Sequence, residues 1–175
     1  MIGLFLALAL GCAPKAASVA EQHRLEGELR SLAARAHWSG VDGTYRRLLA
    51  LPGAPLSYDD HWLGAQAAEA LGEPAEVYRR LQAAIALDAT DAALDWSARI
   101  LINSGAVSLR APGGGDLVAL DMPFEPDWRH TVEVAQAALR AQGAYEGLLP
   151  LGRYTLGGQP FEVVGEPLVE LHLRP

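Results

Sequence analysis

The chain has 175 residues, and 50% of them are hydrophobic, which is enough for one ordinary domain or two small ones with a real core. Its formal net charge is −7. Nucleic-acid binding is excluded as a class, because a basic face would have to supply most of the affinity. The chain contains one cysteine, which rules out an internal disulfide framework.

A short apolar segment precedes that cysteine. Residues 2–10 are almost wholly apolar, yet a permanent membrane-spanning helix takes about 20 residues. The length is typical of the apolar core of a secretory signal. Small residues flank Cys12 and would let the backbone enter a peptidase cleft. The alternative is a cysteine buried in an N-terminal core helix, against which Pro14 argues.

This stretch resembles the signal of bacterial lipoproteins, in which a cysteine after a small residue becomes the lipidated first residue of the mature protein. The resemblance implies a signal peptide at residues 1–11, lipid attachment at Cys12 and a flexible tether at residues 12–20. Ala13, not Asp, follows the cysteine, so the resemblance implies the periplasmic face of the outer membrane. A lipidated cysteine also leaves no thiol nucleophile.

Residues 21–104 have the periodicity of a helical domain. A break is predicted at Ser39-Gly40. Ser57, with an acid three residues on, is a helix-start signal. Further helices are predicted to start at Glu73-Pro74 and around Thr90. The apolar side chains expected on the first, second and last helices are Leu25, Leu29, Leu32 and Ala36; Tyr45, Leu48 and Leu49; and Leu94, Leu101 and Ile102.

The motif YRRL occurs twice, at residues 45–48 and 78–81, 33 residues apart. This period, with two helices per unit, is typical of helical repeats. The unit at 58–90 resembles a tetratricopeptide repeat, with Leu71-Gly72 at the turn between its helices. The resemblance implies antiparallel helical hairpins whose first helices line a partner-binding groove. The alternative is a plain helical bundle in which the YRRL echo is chance. The residues that fall on the groove face are Asp59, Trp62, Gln66 and Glu69.

Residues 105–175 are predicted to form a β-rich domain with one helix at about 127–142. Val107, Leu109 and Ala111 alternate with polar residues, and residues 112–116 are interpreted as a hairpin turn. A second hairpin is predicted around Gly157-Gly158 and a last strand around 169–173. The whole chain is therefore predicted to be α+β, with helical hairpins followed by a small sheet or sandwich.

The segment at residues 148–165 resembles the closing strands of small envelope β-sandwiches, the PEGA and carboxypeptidase-regulatory-like modules. Its Leu149-Pro150-Leu151-Gly152-Arg153-Tyr154 run fits a stretch that turns into a strand in those modules. The helix at about 127–142 is foreign to them. A likeness of this kind says little about function.

Catalytic and metal-binding patterns are scarce. The five histidines form no paired zinc motif. Asp59-Asp60-His61 has metal-ligand chemistry, but carboxylates at a helix start are explained by capping and the helix dipole. The four tryptophans could bind sugar or peptide, or pack in a core. No metal or other cofactor and no enzymatic activity is predicted.

These features predict a non-enzymatic, lipid-anchored adaptor that binds another envelope protein through the groove of its helical domain. The first alternative is an assembly accessory of a secretion, pilus or motility machine that docks through its β-rich domain. The second alternative is an envelope enzyme or glycan binder.

Overall fold

The structure is a computed structural model that describes residues 13–53, 55–121, 125–165 and 168–173. The predicted signal peptide and the lipid site at Cys12 lie outside the described residues. The fold is α+β, as predicted: five helices are followed by two small sheets and a sixth helix. The helices are α1 (Ala13–Ala33), α2 (Trp38–Leu49), α3 (Tyr58–Ala70), α4 (Pro74–Leu87), α5 (Asp91–Leu101) and α6 (Pro126–Gln142). The strands are β1 (Ser104–Arg110), β2 (Leu117–Ala119), β3 (Ala144–Pro150), β4 (Gly152–Leu156), β5 (Gln159–Val163) and β6 (Val169–His172).

Helices α1–α5, here called the helical half, form two layers. Each helix contacts the next one along the chain, and α1 also contacts α3. Trp62 of α3 lies edge-on to Trp96 of α5, with ring centroids 5.1 Å apart. Arg80 of α4 pairs with Asp42 of α2 at 2.6 Å. The odd-numbered helices therefore lie side by side in one layer, and α2 and α4 form the other.

The predicted start of α3 is confirmed in atomic detail. The Ser57 hydroxyl accepts from the Asp60 backbone N–H, and the Asp60 carboxylate accepts from the Ser57 N–H at 2.9 Å. This reciprocal capping satisfies donors that the first turn of a helix leaves free. Helix α3 ends at Ala70, and Gly72 follows with φ of 72°, a left-handed conformation that glycine adopts without strain.

Two predictions near the N-terminus are wrong. The break expected at Ser39-Gly40 lies earlier, because α1 ends at Ala33 and Gly40 is inside α2. Residues 13–20, expected as a flexible tether, belong to α1. Pro14 is compatible with this helix because it lies in the first turn, where its missing N–H would have no intrahelical partner.

The apolar residues expected on α5 do not form its buried face. Leu94 and Ile102 are exposed, and Leu101 is only half-buried. The buried face of α5 is instead formed by Ala93, Trp96 and Ser97. Ala93, Trp96 and Ile100 pack α5 against the preceding helices, whereas Leu94 and Ile102 point outward.

The remainder of the described chain, here called the sheet half, contains two three-stranded sheets. The first has the order β3-β1-β6, with β1 antiparallel to β3 and parallel to β6. The second has the order β2-β4-β5 and is antiparallel throughout. Both sheets and α6 share one apolar core, in which Leu109, Leu139 and Leu156 have no exposed surface.

Several predictions for the sheet half are confirmed. Helix α6 begins at Pro126 and is closed by Gly143 in a left-handed conformation. Strands β4 and β5 form the predicted hairpin, in which Leu156 faces Gln159 across Gly157-Gly158. Both glycines have positive φ, as the favoured two-residue hairpin turn requires.

Two other features of the sheet half differ from prediction. Residues 112–116 are not a hairpin turn, because β1 and β2 belong to different sheets. The glycine-rich segment instead crosses from one sheet to the other. Strand β3 was not predicted, because it starts directly after the helix and alternates imperfectly, with Leu148 and Leu149 both buried.

Candidate functional site

A wide cleft separates the two halves of the molecule, and it is the candidate functional site. It has a volume of about 930 Å³. Helix α4 forms one wall with Arg46 of α2 beside it, and α6 contributes His130, Thr131 and Val134. Strands β1, β3 and β6 of the first sheet, with Leu168 just before β6, contribute the rest. Val134 and Leu168 line it with 46% and 50% of their surface exposed. The cleft therefore combines apolar side chains and a sheet surface that are open to solvent.

The helical wall of the cleft is charged but paired within itself. Arg79 binds Glu76 at 2.6 Å, and Arg46 pairs with Asp42 at 2.9 Å and with Glu73 at 3.5 Å. Burial acts to raise the pKa of Glu76, but hydrogen bonds and positive charge from Arg79 and neighbouring Arg80 outweigh it, and the net pKa is lowered. Glu76 therefore stays ionised, and both cleft arginines are neutralised by acids of the same wall.

The sheet surface of the cleft has an acidic row. Ser108 of β1 lies opposite Glu146 of β3 and beside Glu170 of β6 in the strand register. Paired positions point to the same face of a sheet, so the two carboxylates flank one hydroxyl. Glu146 is 70% exposed and contacts Arg110 at 3.3 Å. Glu170 has no ion pair within the described part of the chain.

The cleft as a whole is acidic. Four glutamates line it against two arginines. Glu73 and Glu76 pair with those arginines and Glu146 contacts Arg110, so Glu170 is the acid of the lining that has no ion pair among the described residues. An acidic surface with exposed aliphatic side chains suits an extended chain that carries a lysine or arginine between apolar residues. A basic side chain placed over Ser108 would meet Glu146 and Glu170 from either side.

A buried arginine holds the helical wall in place. Arg80 has no exposed surface; it donates to Asp42 at 2.6 Å and to the Gly64 carbonyl at 2.7 Å. Its guanidinium carbon lies 4.6 Å from the centre of the Tyr45 ring. We call these four residues the Arg80 hub. The second YRRL copy thus packs directly on the first, because Arg80 belongs to one and Tyr45 to the other.

The groove residues predicted from the sequence lie on α3, away from the cleft. Asp59 and Glu69 are exposed, and Trp62 and Gln66 are half-buried. The Trp62 ring stacks on Tyr58, with centroids 5.9 Å apart, besides its contact with Trp96. Trp62 therefore has a packing role between α3 and α5, and the groove it was assigned to stays a prediction.

The three residues with metal-ligand chemistry are engaged separately. Asp59 is exposed, and Asp60 caps α3 while its other oxygen, Oδ1, is buried without a partner. His61 lies with Nδ1 at 2.9 Å from the Tyr45 hydroxyl. Within the described ranges, no group of three His, Cys, Asp or Glu side chains is arranged to hold a metal ion.

The cleft residues were missed because their pairing depends on β3. Alternation along β1 and β6 already places Ser108 and Glu170 on the faces opposite the core. Glu146 could not be aligned with them without a predicted β3. The signal that would have located the acidic row is the Tyr145–Gly147 segment, once it is recognised as a strand beginning immediately after Gly143.

Comparison with known proteins identifies no relative. The sequence matches no protein-family model, and no curated protein or solved structure is significantly similar to it. Of the helices in the described residues, none is both long and apolar enough to cross a membrane.

Proposed function

We propose that this chain is a non-enzymatic adaptor of a bacterial envelope, anchored through lipid on Cys12, that binds an extended segment of another protein. The observation that carries the binding role is the open acidic cleft between the two halves, with Glu146 and Glu170 flanking Ser108. The partner segment carries a basic side chain with apolar neighbours, which would reach Val134 and Leu168. The tetratricopeptide-like arrangement of the helices is part of the same proposal.

The two-layer packing supports the repeat-like reading of the helical half. Adjacent hairpins contact through Arg80 and Tyr45, which belong to the two YRRL copies. Stacked helix pairs bury surface mainly against their neighbours and need a cap at the ends. The sheet half provides such a cover, because β3 and α6 contact α4.

Binding in the cleft is tested with synthetic peptides that differ only in one central residue. We expect the lysine peptide to bind the full chain, and the glutamine and glutamate peptides to bind progressively more weakly. The double variant Glu146→Gln, Glu170→Gln should weaken the lysine peptide by about threefold to tenfold, because each exposed charge pair is worth about 0.2–1 kcal/mol. Binding is measured by fluorescence anisotropy at two salt concentrations.

The matched control is Glu162→Gln, which removes an exposed acid from β5 outside the cleft. Equal affinity for all three peptides, or equal losses in the cleft and control variants, would contradict binding at this site. If the double variant Trp62→Ala, Gln66→Ala weakens peptide binding instead, the binding site is the predicted α3 groove.

The partner in cells is identified by photo-crosslinking from an unnatural residue that replaces Val134. The control carries the same residue in place of Leu49 on α2. We expect a specific adduct from Val134 that the double glutamine variant reduces. If the chain is instead an assembly accessory that docks through the sheet half alone, Ala75→Glu on α4 would leave the adduct intact.

Lipid anchoring is tested separately by palmitate labelling. Cys12→Ser should abolish both the labelling and the sedimentation of the protein in the membrane fraction.

A further inference from the structure

Helix α5 presents an apolar face that no described residue covers. Leu94, Ala98 and Ile102 are spaced four residues apart and all are exposed, Ile102 by 68%. A groove of about 450 Å³ runs along this face between α4 and α5, and Ile85 and Leu101 contribute to it. The position is the end of the helical layers, where a further helix would pack if the array continued.

The charges beside this face determine which occupant fits. Asp95 and Arg99 are exposed on the same flank of α5, and neither forms an ion pair within the described ranges. In two parallel copies of α5, a twofold axis along the helices would put the Asp95–Arg99 flanks on opposite sides of the contact, where they could not pair. In two antiparallel copies related by a twofold axis at Ala98, the same flank of each helix meets. Asp95 of one copy is then offset from Arg99 of the other by about 3 Å along the helix direction, since the helix rises 1.5 Å per residue.

The apolar side chains obey the same symmetry. With the axis at Ala98, Leu94 of one copy faces Ile102 of the other, and the two Ala98 side chains meet at the centre. A small residue at the crossing point lets two helices approach closely, while the larger residues fill the grooves on either side. The face is therefore complementary to itself in shape and in charge.

We infer that this chain forms a homodimer through antiparallel contact of α5, with Asp95 of each protomer paired to Arg99 of its partner. The surface is distinct from the cleft, so the inference goes beyond the proposed function. The contact involves one helix face and a shallow groove. It is smaller than the roughly 800 Å² per partner of a standard interface, so we expect micromolar association.

The test uses charge reversal in the full chain, held in mild detergent and measured by sedimentation velocity over a range of concentrations. Asp95→Arg and Arg99→Asp should each weaken self-association by about tenfold or more, because each places like charges together across the interface. An equimolar mixture of the two variants should restore association, because one protomer then presents two arginines to the two aspartates of the other. Ile102→Glu should abolish association, whereas the control Leu49→Glu on α2 should leave it unchanged.

Each result decides the inference. Restoration on mixing supports it, since only a twofold contact between these two positions predicts that rescue. A wild-type chain that sediments as a monomer at all concentrations overturns it. So does association that survives both reversals, or reversals whose effect is not rescued by mixing. Far-UV circular dichroism of each variant confirms that α5 and its neighbours remain folded.

Discussion

The two halves of this molecule differ in whether a charged side chain takes part in the core. In the helical half, α3 faces its neighbours with Gly64, Ala65 and Ala68, and the space is filled by the buried guanidinium of Arg80 against the Tyr45 ring. In the sheet half, aliphatic side chains from both sheets and α6 fill the core directly. Its charged groups lie at the surface.

Buried polar groups are also used differently in the two halves. Tyr145 and Tyr154 donate their hydroxyls to the carbonyls of Leu148 and Pro150, at 2.9 and 2.8 Å. Burial raises the pKa of Tyr145 to about 12, so this hydroxyl remains a donor at any physiological pH. The helical half instead relies on ionised partners around Arg80. The helical half also has apolar clusters around Leu29 and Leu81, so its stability depends on apolar burial together with a buried ion pair, whereas that of the sheet half depends mainly on apolar burial alone.

The largest expected effect comes from breaking the Arg80 hub. Arg80→Met removes the positive charge from between Asp42 and Glu76, and we expect it to destabilise the chain by about 3 kcal/mol. This is the lower end for a broken buried pair, because Arg46 still contacts Asp42. The change is measured by urea denaturation, with amide hydrogen exchange to assign the loss to α2–α4.

The matched control is Arg47→Met, at the equivalent position of the first YRRL copy. Arg47 is exposed and pairs with Glu21 and Glu28 at the surface, so its loss should cost less than about 1 kcal/mol. If the two variants are equally stable, the stabilising role assigned to the Arg80 hub is wrong.

A second expected effect concerns the close approach of α2 and α3. A Cβ added at Gly64 would lie 2.7 Å from the Tyr45 ring, so Gly64→Ala should destabilise by about 1–3 kcal/mol. Gly43→Ala in α2 meets no atom within 4 Å and should stabilise by about 0.5–1 kcal/mol. The unfolding temperatures of the Gly64→Ala and Gly43→Ala variants test both expectations. A stable Gly64→Ala variant would show that Tyr45 can move and that the hub is loosely packed.

The smallest expected effect is a pH dependence of the helical half. Burial lowers the pKa of His61 below its ordinary value of 6.5. Between that value and the folded-state pKa, the unfolded chain binds more protons than the folded chain, so stability falls as the pH falls. The contribution of neutral His61 is complete above 6.5 and is lost as the pH drops through the folded-state pKa.

This pH dependence is measured as the change in urea midpoint between about pH 8 and about pH 5.5. His61→Gln should flatten the change, whereas His172→Gln, at an exposed position of β6, should not. If the urea midpoint changes with pH equally in the wild-type chain and in His61→Gln, His61 is not the cause of the pH dependence.

Sequence patterns predicted the local signals of this fold well. The Ser57 cap, the end of α3 at Gly72 and the Gly157-Gly158 hairpin each depend on a few neighbouring residues, and all three are confirmed. The failures depend on residues far apart in the chain. Whether residues 112–116 form a hairpin is decided by which sheet each flanking strand joins. The burial of Arg80 but not Arg47 is decided by what lies opposite each copy of the motif.

The candidate site was less predictable for the same reason. The acidic row of the cleft joins β1, β3 and β6, and no single segment carries its pattern. Helix α5 illustrates a further limit. The sequence predicts that α5 carries Leu94, Leu101 and Ile102, but the presence of apolar residues on a helix does not say whether the chain itself covers them.

The pairing of β1 with β3 and with β6 determines the order in which the molecule can be completed as it folds. Every helical hairpin joins near neighbours, so the first five helices can form their contacts before the sheet half does. Strand β1 must wait, because its two partners are Ala144–Pro150 and Val169–His172. Until then it is an open strand edge of the kind that invites aggregation.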